Sequence, residues 1–220
     1  MPDTAPRRRG RPARIDRARI VAAARDMDPQ TLTMQAVAER LGVDRKALNY
    51  HVSDREGLLE LVALDVLSGE VSEIPMPAGG DWRDQLRAFA HNMRAGLVRT
   101  GALFEYVRMP VAGGLAGIAA AEKLMESLVA AGFAERDAGR AIGFVAEFVF
   151  SSARDAVMIE RFGEHPQVTE LRKALDRVPE DQHRTLRRMM TGHFRANDEQ
   201  LEFDLQVCIA GLEQILAKQI

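Results

Sequence analysis

The chain has 220 residues, 46% hydrophobic and 28% charged, enough for a small domain joined to a larger one. Its single cysteine, Cys208, excludes an internal disulfide and a thiolate metal cluster, and no apolar run reaches the length of a membrane span; the longest, around residues 141–150, is broken by Glu147. The net charge of −2 hides an asymmetry: residues 1–57 hold 12 Lys/Arg against 8 Asp/Glu and the rest 18 against 24, so any polyanion is expected at the N-terminus.

Residues 1–14 are expected to be a disordered basic arm carrying Arg7, Arg8, Arg9 and Arg11, with Gly10 and Pro12 between and after them. No apolar stretch follows these arginines, so a signal peptide is not expected and the cytoplasm is. Helical spacing runs through nearly all that follows and strand alternation is missing, which predicts an all-α fold. A first helix is expected from Asp16, its N-cap, to Arg25, ended by Asp28-Pro29. A second starts after Thr33 and ends at Leu41, with Gly42 as its left-handed stop. A third, short one covers Asp44–His51. Ser53 and Glu56 form a capping box for a fourth that reaches about Val71. The prolines and glycines of 74–80 break the pattern and mark a joint. Asp81 caps a helix from Trp82 to about Thr100. Further helices are expected over 104–109, 115–131, 136–162, 168–177, 180–192 and 198–218. The organisation that results is an arm (1–14), a three-helix helix-turn-helix head (15–72) and a larger helical body (81–220) for ligand binding and dimerisation.

The most informative stretch is Thr33–Val52, TMQAVAERLGVDRKALNYHV. A helix-turn-helix needs a small residue at the crossing, a glycine in the turn and apolar positions locking the second helix to the first. Ala38, Gly42 and the set Val37, Leu41, Val43, Leu48 and Val52 supply them. Leu48 and Val52 share one face, leaving Arg45 with Asn49, and Lys46 with Tyr50, as two i,i+4 pairs facing out. Arg and Asn suit bidentate contacts to guanine and adenine edges; Lys and Tyr suit phosphates or thymine methyls. The arm is slim enough for a minor groove, where arginines meet concentrated negative potential.

These residues carry a family resemblance. Residues 32–67, LTMQAVAERLGVDRKALNYHVSDREGLLELVALDVL, resemble the DNA-binding head of the TetR family of repressors. The body, from Asp81-Trp82 through Ala131-Gly132-Phe133 to FDLQVCIAGLEQIL, resembles the C-terminal domain of the tetracycline-repressor branch. The resemblance implies a homodimer joined by a four-helix bundle from the long helix near 136–162 and the last helix, released from its operator by a small ligand bound in the body. It implies DNA contacts at Thr33, Gln35, Arg45, Lys46, Asn49, Tyr50, His51 and Arg55. Two departures stand out: Asn49 occupies a usual tyrosine position, and the Met27–Leu32 loop is short. Val71 and Phe89 match positions where tetracycline binders carry polar groups, so no binding of magnesium–tetracycline is expected.

In the body, Phe89, Met93, Leu97, Phe104, Met109, Phe144, Phe148 and Met158 recur at helical spacings. They either line a pocket for an apolar or aromatic effector or form ordinary core. Glu147 is either that pocket's polar anchor or a dimer-interface carboxylate meeting Arg140 or Arg154. Nothing points to an enzyme. His91, His165, His183 and His193 lack metal-ligand spacing, and no nucleophile elbow, P-loop or dinucleotide fingerprint is present. The expected partners are double-stranded operator DNA, a second copy of the chain and an effector of unknown identity, with no cofactor, metal or membrane. A DNA-binding activator, or a helical scaffold without a small-molecule ligand, is the alternative.

Overall fold

A computed structural model of the chain describes residues 15–72, 76–107, 114–190 and 198–218. All regular structure among them is helical, as the spacing predicts. The elements are α1 (Arg17–Ala24), α2 (Met34–Leu41), α3 (Arg45–Leu48), α4 (Arg55–Ser72), α5 (Trp82–Arg99), a 3₁₀ segment (Gly101–Tyr106), α6 (Gly114–Ala130), α7 (Glu135–Phe162), α8 (Pro166–Leu175), α9 (Arg184–Met190) and α10 (Asp198–Leu216). Two compact units are formed, one up to Val62 and one from Ala63 onward, so the division falls inside α4.

In the first unit, the Asp16 carboxylate accepts from the Arg19 amide at 2.9 Å and opens α1. Ile20 and Ala24 of α1, Leu32, Val37 of α2, Leu48, and Leu58 and Leu59 of α4 are fully buried and form its core. Two expectations need correction. The cap of α4 is Asp54, whose carboxylate accepts from the Gly57 amide at 2.8 Å, so the helix opens at Arg55, beyond the expected Ser53 box. α3 is also shorter than expected: after Leu48 the His51 amide donates to the Leu48 carbonyl at 2.8 Å, a three-residue bond that tightens the last turn.

The second unit is built around α5, which packs on α6 and α7. Leu86, Phe89, Ala90 and Leu97 of α5 meet Leu124 and Leu128 of α6 and Ala141, Val145 and Val149 of α7 in a buried core, with Leu201 and Leu205 of α10 also buried. Trp82 stands edge-on to Phe133, ring centroids 5.3 Å apart. Arg94 donates to the Ser152 hydroxyl at 3.0 Å and pairs with Asp198 at 3.1 Å, tying α5 to α7 and α10. The expected helix over 104–109 is instead the 3₁₀ segment beginning at Gly101, and α9 opens at Arg184, after His183 with φ 55. Cys208 is buried, and desolvation pushes its thiol up to about 11. Glu164 is held down at about 2, first by its hydrogen bonds from Arg172 and then by that from Thr169. Among the described residues no helix is long and apolar enough to cross a membrane.

Candidate nucleic-acid interface

The interface is assembled by the α2–α3 turn. Thr33 caps α2 by accepting from the Ala36 amide at 3.1 Å. At the other end Gly42 takes the left-handed conformation, φ 67, and the Val43 amide donates to the Ala38 carbonyl at 3.0 Å in a Schellman closure. Nothing lies within 4 Å of a Cβ built on Gly42, so the backbone angle and not space demands glycine there. Asp44 then caps α3, accepting from the Lys46 amide at 2.7 Å.

The two faces of α3 differ sharply. Leu48 is fully buried and Val52 is 6% exposed, both inside the first unit, while Tyr50 is 89% exposed. Arg45, Lys46 and Asn49 are exposed as well. None of these four polar side chains has a hydrogen-bond or ion-pair partner among the described residues. Asn49 keeps helical backbone angles, φ −62 and ψ −18, so its spacing from Arg45 is still that of one helical turn. The result is a short helix and the turn after it offering a guanidinium, a carboxamide, an ammonium and a phenol outward, a set suited to base edges and phosphates.

The remaining candidates are placed less uniformly. Thr33 is exposed but occupied as a cap, and Gln35 is exposed and donates to Glu39 at 2.8 Å. His51 is half-buried. Arg55 carries a bond set that sequence reasoning missed. Its Nε donates to the Leu32 carbonyl at 2.8 Å, and its Nη2 donates to those of Pro29 at 2.7 Å and Gln30 at 3.3 Å. It therefore clamps the loop before α2 while its Nη1 stays free among the described residues. Its acceptors lie 23 to 26 residues earlier, too far for any local motif to announce them. Arg7, Arg8, Arg9 and Arg11 lie outside the described residues.

Among the described residues, the expected effector residues differ in burial. Phe89, Leu97 and Phe104 are buried in the core of the second unit. Met93 and Phe148 are half-buried, and Met109 lies outside the described residues. Phe144 and Glu147 are exposed on the outer side of α7, in a stripe with Arg140 and Arg154. Phe203, Val207, Ala210, Gly211 and Gln214 form a comparable exposed stripe along α10.

A short, solvent-facing helix locked by a glycine turn onto a neighbour is a helix-turn-helix, the arrangement with which helical DNA-binding proteins reach a major groove. The family profile of the tetracyclin repressor-like C-terminal domain matches residues 74–216. The chain is 34% identical over 139 residues to an HTH-type transcriptional regulator of Saccharopolyspora erythraea, covering 61% of this chain and 58% of that protein. It therefore spans little more than half of that relative's length. It is 26% identical over 192 residues to the tetracycline repressor protein class C of Escherichia coli, covering 86% and 85% of the two. The fold resembles that of the TetR family protein ActR of Streptomyces coelicolor, solved in complex with actinorhodin. There the TM-score is 0.68 at 23% identity, over 94% of this chain and all of that one. The chain belongs to the TetR family of transcriptional regulators, with a tetracycline repressor-like C-terminal domain.

Proposed function

We propose that this regulator represses transcription as a homodimer on a (pseudo)palindromic operator and leaves it when a small apolar or aromatic effector binds. In this reading residues 1–14 are an arm for the minor groove, 15–72 read the operator, and 81–220 dimerise and bind the effector, all in the cytoplasm where the DNA is. The observation that carries the reading is α3, with Arg45, Lys46, Asn49 and Tyr50 outward and unpaired while Leu48 is fully buried. Thr33, Gln35, His51 and the free Nη1 of Arg55 would add backbone contacts. Dimerisation is supported by the apolar stripes left uncovered on α7 and α10, where Phe144 is 58% and Phe203 61% exposed. Glu147 would then be an interface carboxylate meeting the partner's Arg140 or Arg154. Effector release is supported by the relatives: one is a tetracycline repressor, and the structure of another holds actinorhodin.

The test is binding of the full chain to duplexes from the promoter region beside its own gene, measured by fluorescence anisotropy over a range of salt. Sequence-selective binding whose logarithm falls linearly with log salt is expected. Deleting residues 1–14 should lower the affinity and flatten that slope. Equal affinity for promoter and scrambled duplexes would overturn the regulator reading, and an identical slope would show that the arm is idle.

A further inference from the structure

A cleft of about 650 Å³ opens in the second unit between the 77–81 loop, the first turn of α5 and the C-terminal half of α6, within the size range of small-molecule sites. None of the expected effector residues lines it. Trp82 and Gln85 come from α5, Lys123, Glu126 and Ser127 from α6, and Gly79 from the loop.

Two independent features mark it. The first is Gln85, 5% exposed, whose Nε2 donates to the carbonyls of Pro77 at 3.0 Å and Gly79 at 3.2 Å. Two carbonyl acceptors fix which end of the amide is nitrogen, since the flipped amide would set oxygen against oxygen. Oε1 is thereby left buried with no partner among the described residues. Such an orphan acceptor is costly and calls for a donor. The second is the pair Lys123 and Glu126, three residues apart and so on one face of α6. Both are exposed, and neither forms an ion pair among the described residues. Asp81, the other carboxylate at the rim, is already held by Arg83 at 2.6 Å.

We propose that this cleft is a second binding site, separate from the effector response, for a small zwitterion of the amino-acid or short-peptide class. Lys123 receives the ligand's carboxylate, Glu126 its ammonium, and Gln85 Oε1 an N–H. Because Oε1 is buried, the loop that lines the cleft would have to give way for that N–H to reach it. An anion alone would meet the carboxylates of Glu126 and Asp81, and a cation alone would leave Lys123 without a counter-charge.

Trp82 lines the cleft and is the only tryptophan in the chain, so its emission reports occupancy. The full chain is titrated with glycylglycine, and in parallel with sodium acetate and ethylammonium chloride. A saturable change with glycylglycine, at least tenfold weaker or lost with either single-charge compound, is expected. Lys123→Ala and Glu126→Ala, both on the surface of α6 and therefore compatible with folding, should each weaken the response at least fivefold; Gln85→Leu should abolish it. No saturable change, or a response in the two surface variants as tight as that of the unsubstituted chain, would overturn the site. Equal binding of acetate or ethylammonium would overturn the zwitterion. Because no DNA enters the titration, its failure leaves the operator reading untouched, and loss of operator binding leaves this one untouched.

Discussion

Arg45 and Asn49 are separated by one helical turn on the outward side of α3, and neither has a partner among the described residues. A side chain that holds no structural bond and sits opposite the buried Leu48 is removed at little cost to folding. Arg45→Ala should therefore leave the melting temperature in place and weaken operator binding by about 1–3 kcal/mol, with relaxed preference at one base pair. Anisotropy against a set of singly substituted operators reads both effects. Unchanged affinity with unchanged preference would remove Arg45 from the readout. A different residue-scale argument concerns Phe89, which is 3% exposed and stands where the resemblance places a polar contact to tetracycline. An aromatic ring packed in the core offers nothing to a hydroxyl-rich metal chelate, and leaves its polar atoms unsatisfied. Titrating the full chain with magnesium–tetracycline should give no saturable rise in tetracycline fluorescence; tight saturation would refute this.

Among the elements, the α2–α3 turn was legible in the sequence because all its determinants are local. Thr33, Gly42 and the Leu48/Val52 pair act within a few residues of themselves, and each is found in its expected role. The loop before α2 was not legible in the same way, since what holds it is Arg55 at the start of α4. Arg55→Met removes three donated hydrogen bonds and leaves the buried Leu32 carbonyl unpaired. It should destabilise the chain by about 1–3 kcal/mol. Amide exchange should quicken at residues 30–34, with operator affinity falling alongside. A lower affinity at an unchanged melting temperature would instead make Arg55 a plain DNA contact. The body shows the same limit of sequence reading from another side. The periodicity of α7 reveals two apolar sides, one with Ala141, Val145 and Val149 and one with Phe144 and Phe148. It does not reveal which side its own chain covers. The first set is buried while Phe144 is open, and of the expected effector residues Phe89, Leu97 and Phe104 are buried as well.

For the whole molecule, the uncovered stripes of α7 and α10 and the readout by α3 belong to one argument. In the proposed reading, α3 and the turn after it make few base contacts, and affinity for a symmetric operator comes from engaging two half-sites together. Linking two modules in this way adds a factor on the order of 10²–10⁴ without any new contact to DNA. The link should run through exposed apolar side chains such as Phe203 and Val207, which are 61% and 58% exposed in one protomer and four residues apart on α10. Phe203→Asp combined with Val207→Asp places two carboxylates in that contact, where burial without partners is unfavourable. The double variant should run as a monomer in light scattering and keep its helical circular dichroism, because neither residue is part of the protomer's own core. Its affinity for the full operator should fall toward that for an isolated half-site, which should itself be nearly unchanged. A variant that stays dimeric would move the interface off α10. One that becomes monomeric yet binds the full operator as tightly as before would separate dimerisation from DNA recognition altogether.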